Sequence, residues 1–393
     1  MLRARMGAGR WASRWQARGA AAAGGLLVGL VAAEGLGRLV PVDAGAALLY
    51  DAPAGTPPDM FQLDPWDRLV PNPGFDGSFV WLDHRVRVRF NRWSLRGADA
   101  LPPAPRWLAA GDSFVLARQV DEADTFAALL GPHAGLAVLN GGVDGANTWD
   151  AVERYLAVDA AVGVEGLLLV VFTGNDPAQD AAPPRAPRRV DPFGPAPALP
   201  GPVAPADNRF AAFRRAHEAQ PWWEEQLFQR SALWAWVRVA RARTATGRVE
   251  RLRWEQFRTE LGLFSTSGAA ARSQAVAATG AALRAARAAA EARGDRLLVA
   301  VAPPVFALSR AATADTLETF GLDPASAEPD ALHEGVVAAG RAAGAAVCDL
   351  RPALRAASER GEQSYFRWEG HWTPHGHRVV AAALRDCLGG GGP

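Results

Sequence analysis

From residue 106 onward, apolar runs alternate with segments of helical periodicity. The apolar runs predict strands at 107–110, 136–139, 166–172, 297–301 and 346–350. The run at 166–172, GLLLVVF, is continuously apolar, which is typical of a central parallel strand that is covered on both faces. Strands alternating with helices predict an α/β fold, a three-layer doubly wound domain with a parallel five-stranded sheet over residues 106–389.

Two stretches depart from this alternation. Residues 177–265 predict a helical insertion, because 177–207 is too rich in Pro for regular structure and a Trp-rich helical stretch follows it. Its tryptophans are expected to pack the inserted helices onto the domain, with a sugar platform or a membrane-interface contact as alternatives. Residues 41–105 form a Pro- and Gly-rich lead-in segment, in which the alternation over 79–90 predicts a hairpin.

The amino-terminal pattern concerns the membrane. Five arginines lie within residues 1–18, and the apolar stretch 19–40 has about the ~20 residues that a bilayer needs. The arginines predict that 1–18 is a basic tail in the cytoplasm and that 19–40 is a transmembrane signal anchor, with the rest of the chain exported. A cleaved signal peptide is the alternative, since Val31-Ala32-Ala33 and Ala44-Gly45-Ala46 supply small residues for cleavage.

Composition adds two expectations. A net charge of +1 gives no electrostatic reason for a nucleic-acid partner. Two cysteines are too few for a disulfide scaffold. We expect Cys348 and Cys387 to be small buried side chains, with pairing in an oxidising compartment as the alternative.

Polar residues follow the predicted strands at the edge of the sheet where α/β proteins bind ligands. Ser113, in Gly111-Asp112-Ser113, is the candidate nucleophile, and His371 is its candidate base. Glu369 would fix the tautomer of His371. The oxyanion donors would be the backbone N–H groups of Ser113 and Gly145 and the side-chain amide of Asn175.

A second histidine pattern is weaker. His371, His375 and His377 form an H-x3-H-x-H run, but the last two should point to different faces of the helix that Thr373 caps and Pro374 begins. We therefore expect no metal site, and no motif in the chain calls for a cofactor.

The order of these motifs resembles that of the SGNH/GDSL hydrolase superfamily from about Val86 to Leu388. The block-one motif matches Gly111-Asp112-Ser113, the block-two glycine matches Gly145, block three matches Asn175-Asp176, and the histidine block matches His371. The segment Val88-Arg89-Phe90-Asn91…Leu95-Arg96 is similar to the lead-in of bacterial membrane-anchored members. Two departures are Glu369, where the family usually has Asp, and Phe114-Val115-Leu116-Ala117 after the serine.

The resemblance implies a flavodoxin-like SGNH hydrolase fold and metal-free chemistry on ester-linked acyl groups. We expect a serine esterase that hydrolyses O-acyl esters of a small molecule or of cell-surface polysaccharide, with acetyl as the expected acyl group. Its place would be the bacterial inner membrane, single-pass, with the catalytic domain on the periplasmic side. An O-acyltransferase on the same site is one alternative, and a non-catalytic carbohydrate-binding or assembly protein is another.

Overall fold

The computed structural model describes residues 5–39, 56–57, 59–81, 84–103, 105–134, 136–184, 190–191, 193–204, 206–212, 231, 233, 237, 248–366 and 370–389. Part of the predicted insertion, including Trp222, Trp223, Trp234 and Trp236, lies outside these residues. So does Glu369.

Nine strands are named in the described residues, in two hairpins and one larger sheet. They are β1 (Phe61–Leu63), β2 (Leu69–Pro71), β3 (Asp76–Trp81), β4 (His84–Arg89), β5 (Arg106–Ala110), β6 (Ala137–Asn140), β7 (Gly166–Phe172), β8 (Arg296–Ala302) and β9 (Ala346–Asp349). The last five form a parallel sheet in the order β6-β5-β7-β8-β9. This is the doubly wound order, and the strand order reverses between β5 and β7. The predicted α/β fold is confirmed.

The named helices follow the strands in alternation. They are α1 (Arg5–Leu39), α2 (Ser113–Leu116), α3 (Phe126–Ala134), α4 (Thr148–Val162), α5 (Asp176–Ala181), α6 (Arg248–Gly262), α7 (Ala269–Arg293), α8 (Arg310–Thr319), α9 (Ala331–Ala342), α10 (Arg351–Glu359) and α11 (Pro374–Gly389). Helix α5 lies at the start of the segment that was expected to lack regular structure. That expectation is wrong for Asp176–Ala181, where Pro177 stands in the first turn, the part of a helix that tolerates proline.

Both faces of the sheet are covered by helices. Along β7, Leu167 and Leu169 pack into one apolar core with α4, α7 and α9, whereas Leu168 and Val170 pack into a second core with α3, α10 and α11. Successive strand residues point to opposite faces, so a strand buried on both sides must be apolar throughout. The burial of every residue of β7 therefore explains its unbroken apolar sequence.

The lead-in segment contains the predicted hairpin, β3 paired antiparallel with β4, and a second hairpin, β1 with β2, that the sequence did not reveal. The strands β1 and β2 have only three residues each, too few for a recognisable alternation. Phe79 and Val88 of the longer hairpin are fully buried. The lead-in thus contributes to the packed core.

Helix α1 carries the predicted span. By length and composition, its stretch Arg18–Leu36 could cross a membrane, and a signal sequence would pass the same test. Leu26, Leu27 and Val28 are exposed in this helix. Near its end, Glu34 accepts hydrogen bonds from the Ser231 hydroxyl (2.8 Å) and the Leu233 N–H (3.1 Å), which belong to the predicted insertion.

The expectation that the two cysteines stay unpaired is wrong. Cys348 on β9 and Cys387 on α11 form a disulfide, with their Cα atoms 5.8 Å apart. The two residues are 39 positions apart in the chain, and only the packing of α11 beside β9 brings them together. Helix α4 is capped by Asn147, whose side chain accepts from the Asp150 N–H in a capping box.

Candidate active site

Ser113 and His371 lie within hydrogen-bond distance of each other. Ser113 is the first residue of α2, directly after β5, and Asp112 caps this short helix by accepting from the Phe114 N–H at 2.9 Å. The Nε2 atom of His371 is 2.7 Å from the Ser113 Oγ atom. This distance lets the hydroxyl donate to a neutral imidazole, the arrangement that a general base requires.

The His371 segment is held by backbone pairing with residues 365–366. The Phe366 N–H donates to the His371 carbonyl at 2.8 Å, and Tyr365 pairs with Trp372 in an antiparallel bridge. The His371 ring also lies 4.6 Å from the Phe114 ring, so the residue after the serine packs against its base. Helix α11 then begins at Pro374, and Thr373 caps it as expected, accepting from the Gly376 N–H at 3.0 Å.

The three candidate oxyanion donors lie at adjoining strand ends. Ser113 follows β5, Gly145 lies in the loop after β6, and Asn175 follows β7, and all three line one cavity together with His371. Gly145 has φ +69°, a left-handed conformation that glycine adopts without strain. Asn175 is the N-cap residue of α5 but makes no capping hydrogen bond, and its buried Oδ1 atom has no partner among the described residues.

The loop after β6 fits closely against α2. The Asn140 side chain donates to the Val115 carbonyl at 2.7 Å and accepts from the Gly142 N–H at 3.1 Å. A Cβ atom on Gly142 would lie only 2.0 Å from the Leu116 backbone N, so only glycine fits there. Asn140 and Gly142 therefore fix the distance between the serine helix and the Gly145 loop.

Two buried carboxyl groups flank the site. Asp112 and Asp176 are each about 1% exposed. Burial raises the pKa of both carboxyl groups, although the Phe114 N–H opposes the shift at Asp112 and the Phe172 N–H opposes it at Asp176. The rise in pKa makes both groups reluctant to carry charge beside Ser113.

Sequence reasoning missed several arginines that support the site. Arg96, from the lead-in, is buried and donates to the carbonyl of Leu116 at 2.7 Å and to those of Ala117 and Val120, at and beyond the end of α2. Its position in the Leu-Arg part of the lead-in motif was the only signal in the sequence. Because these carbonyls terminate the helix that begins at Ser113, Arg96 fixes the end of that helix.

The two other histidines of the cluster have separate partners. His375 lies 2.9 Å from a Glu362 carboxylate oxygen, and the Nδ1 atom of His377 accepts from the Phe126 N–H at 3.2 Å. Burial lowers the pKa of His377 to about 3, which keeps its ring neutral. Within the described residues no group of His, Cys, Asp and Glu has the arrangement of a metal site.

The fold, the order of the motifs and a family model agree on the class of protein. A model described as "SGNH hydrolase-like domain, acetyltransferase AlgX" matches residues 262–389, the part that includes His371 but not Ser113. The match over residues 262–389 supports the SGNH/GDSL superfamily, and the order of the parallel sheet is that of an SGNH hydrolase-like fold. These findings support an SGNH-type enzyme function that involves acyl groups.

Two solved structures show similarity to parts of the chain. A member of the lipolytic protein G-D-S-L family from Veillonella parvula is 11% identical, covers 72% of this chain and 96% of its own, and has a TM-score of 0.37. LAE5, an alpha/beta hydrolase enzyme from the metagenome of Lake Arreo in Spain, is 13% identical, covers 74% of this chain and 97% of its own, and has a TM-score of 0.33. No curated protein matches the chain.

Proposed function

We propose that the protein is a serine esterase that cleaves O-acyl esters through an acyl-enzyme on Ser113. The observation that carries this proposal is the 2.7 Å distance between the Ser113 Oγ atom and the His371 Nε2 atom at the wall of a large cavity. A serine hydroxyl is a weak nucleophile unless an adjacent base removes its proton. Ser113 supplies the hydroxyl nucleophile, and His371 supplies the base.

In the first half-reaction, the Ser113 Oγ atom attacks the ester carbonyl carbon and its proton passes to His371. The carbonyl oxygen becomes an oxyanion, to which the N–H groups of Ser113 and Gly145 and the Asn175 amide would donate hydrogen bonds. His371 then gives the proton to the departing alkoxide, and the alcohol leaves. The acyl group remains bonded to Ser113.

In the second half-reaction, water loses a proton to His371 as its oxygen attacks the acyl carbon. The carbon–oxygen bond to Ser113 breaks, and the proton returns to its Oγ atom. The products are the carboxylic acid and the free enzyme. We propose that Glu369 orients His371, although the position of Glu369 lies outside the described residues.

O-acyl transfer on the same site is the second candidate. Here a hydroxyl group of an acceptor replaces water in the second half-reaction. Two observations favour it: the cavity of about 1050 Å³ is much larger than an acetyl group needs, and the matching family model is described as an acetyltransferase. We propose acetyl esters of cell-surface polysaccharide as the substrate class for either reaction.

We further propose that α1 anchors the domain in the bacterial inner membrane with the site on the periplasmic side. Arginines precede the apolar stretch of this helix, as in segments whose amino end stays in the cytoplasm. The disulfide between Cys348 and Cys387 supports export, because disulfides persist in oxidising compartments.

The test is p-nitrophenyl acetate turnover by the full chain in detergent. We expect Ser113→Ala and His371→Ala each to lose activity by about 10³-fold or more. The control Ser358→Ala, at an exposed serine of α10, should keep the parent rate. Equal rates for Ser113→Ala and the parent would exclude the proposed mechanism and favour a non-catalytic binding protein.

A further inference from the structure

The cavity extends well beyond the serine and the histidine. Its lining includes Ser113, His371 and Glu260, which lies near the end of α6. Two tryptophans, Trp66 and Trp149, also line it. A volume of about 1050 Å³ accommodates a ligand of several sugar-ring sizes rather than a single small ester.

The arginines that line the cavity are all engaged in other contacts. Arg68 binds Asp64 at 2.7 Å, Asp150 at 2.9 Å and Glu153 at 3.0 Å. Three carboxylates therefore surround this one guanidinium group, and its positive charge is not available to a ligand.

The other two lining arginines are likewise engaged. Arg118 pairs with Asp144 at 2.5 Å, with both side chains largely buried. Arg154 is buried and donates to the backbone carbonyls of Trp93 (3.3 Å) and Ser94 (2.6 Å). Arg68 and Arg118 are thus paired with carboxylates, whereas Arg154 is buried and held by backbone carbonyls.

The carboxyl groups of the wall outnumber these arginines. Six carboxyl groups against three guanidinium groups line the described part of the cavity, namely those of Asp64, Asp112, Asp144, Asp150, Glu153 and Glu260. Burial raises the pKa of Asp112 and Glu260, so the four carboxylates that pair with Arg68 and Arg118 carry most of the negative charge, and the wall has no excess of positive charge. A polyanion therefore meets no net attraction at this wall.

Glu260 differs from the four carboxylates of this wall that pair with Arg68 or Arg118. It is only 6% exposed, and its Oε1 atom accepts from the Gln256 Nε2 atom at 2.9 Å. No cation among the described residues pairs with it, and burial raises its pKa to about 7. The position is well defined, because Leu261 is buried in the core and Trp254 stacks on Phe320 at 4.4 Å.

We propose that Glu260 is the acceptor-binding residue of this cavity and that the acceptor is an uncharged or amine-bearing polyhydroxyl compound, not a polyanion. A carboxyl group that lacks a cation has hydrogen-bonding capacity left for a ligand hydroxyl or ammonium group. This inference rests on the proposed function and selects the transfer reaction. Glu260 would bind one hydroxyl of the acceptor while another hydroxyl reacts with the acyl-enzyme.

The transfer step balances without any co-reactant. The oxygen of the reacting hydroxyl forms a bond to the acyl carbon, and the bond from that carbon to the Ser113 Oγ atom breaks. The hydroxyl proton passes to His371 and from there to Ser113. Water and the acceptor therefore compete for the same acyl-enzyme. Glu260 would raise the rate of transfer to the acceptor and leave the rate of hydrolysis by water unchanged.

The experiment measures this competition in the full chain in detergent. With p-nitrophenyl acetate as donor, cellohexaose, the fully deacetylated chitosan hexamer and hexagalacturonate are compared as acceptors. Acetylated oligomer and free acetate are quantified by mass spectrometry and by acetate assay. We expect transfer to the neutral and cationic oligomers to exceed transfer to the polyanion by about tenfold, because the wall offers no excess of positive charge and the carboxyl group of Glu260 has no cation partner among the described residues.

Two variants test the residue itself. Glu260→Ala should lower the ratio of transfer to cellohexaose over hydrolysis to free acetate about tenfold, the effect of losing one hydrogen bond to a charged group. Glu260→Gln should retain part of the transfer and reduce discrimination against hexagalacturonate. Glu260→Gln also tests the role of Glu260 if the alanine variant fails to fold. Glu255→Gln, at an exposed position of the same helix, should leave the ratio of transfer to hydrolysis unchanged.

The possible failures are distinguishable. If Ser113→Ala still releases p-nitrophenol at the parent rate, the proposed function itself is wrong. If release depends on Ser113 but the parent makes only free acetate, or prefers the polyanion, the acceptor inference is overturned and hydrolysis remains. Unchanged transfer to cellohexaose in both Glu260 variants would also overturn it.

Discussion

The guanidinium group of Arg118 pairs with the carboxylate of Asp144 at 2.5 Å, and the two side chains are only 7% and 11% exposed. Arg118 follows the serine helix, whereas Asp144 directly precedes Gly145, so the pair joins the nucleophile to the loop that carries a candidate oxyanion donor. The guanidinium group also lies 4.9 Å from the ring centre of Phe79, on the lead-in hairpin. This one contact links three separate segments of the chain.

We expect Asp144→Asn to lower the free energy of unfolding by about 3 kcal/mol, because it removes the charge that balances a buried guanidinium group. It should also lower kcat more than it raises KM, since the Gly145 N–H acts on the transition state. Urea unfolding and p-nitrophenyl acetate kinetics measure the two effects. The control Asp76→Asn breaks an exposed pair with Arg87 and should change neither. A loss of stability with an unchanged kcat would show that the pair of Arg118 and Asp144 stabilises the fold but does not contribute to catalysis.

A second expectation concerns Asn175. The variant Asn175→Ala should lower kcat by about 10²- to 10³-fold with little change in KM, the usual effect of removing one oxyanion donor. Its side chain makes no capping bond to α5, so the melting temperature should be nearly unchanged. Stopped-flow kinetics and calorimetry test the two parts. A kcat within about threefold of the parent would remove Asn175 from the oxyanion hole.

The sequence was sufficient to predict the central sheet and the order of the candidate site residues. Strands such as β7 are buried on both faces, and their continuous apolar runs are visible in one sequence. The meeting of Ser113 with His371 across 258 residues followed from their positions at the sheet edge and before α11. Local patterns carry this information because strand ends in parallel sheets share one edge.

Other features could not be predicted, because they depend on contacts between distant segments. Neither the disulfide of Cys348 with Cys387 nor the contacts of Arg96 with the end of α2 leave a periodic trace in the sequence. Glu260 gave no signal either, since a single carboxyl group on a polar helix resembles any solvent-facing glutamate. Only its 6% exposure and the neighbouring cavity distinguish it.

The acid of the candidate triad remains a prediction. We expect Glu369→Ala to slow turnover by at least about tenfold, but less than the loss of Ser113 or His371 does. Glu369→Asp, which restores the residue usual in the family, should retain most of the rate. Steady-state kinetics of both variants measure this. An unchanged rate in Glu369→Ala would favour a dyad of Ser113 and His371.

The disulfide offers a further test. Cys387 ties α11 to β9, and α11 begins just after the His371 segment. Reduction should lower the free energy of unfolding by about 4 kcal/mol, the chain-entropy value for a loop of about 40 residues. Activity should fall at lower urea concentration once tris(2-carboxyethyl)phosphine is added. In a Cys348→Ala/Cys387→Ala variant, the reductant should not change the urea concentration at which activity is lost. An identical response of parent and variant would show that the disulfide does not stabilise the site.

The last expectation follows from the buried carboxyl group of Glu260. Burial raises its pKa from 4.5 to about 7, against the opposing hydrogen bond from Gln256. Between these values the folded protein binds more protons than the unfolded chain, so stability from this group is fully present below pH 4.5 and is lost as the pH rises towards 7. The glutamine of Glu260→Gln cannot ionise, so the variant does not lose this stability as the pH rises. At pH 8 its free energy of unfolding should exceed that of the parent by up to about 3 kcal/mol, and near pH 4 the two should be equal. Urea unfolding of both proteins and of Glu255→Gln across this range checks the sign, and a difference that is independent of pH would show that Glu260 is already charged and paired in the folded state.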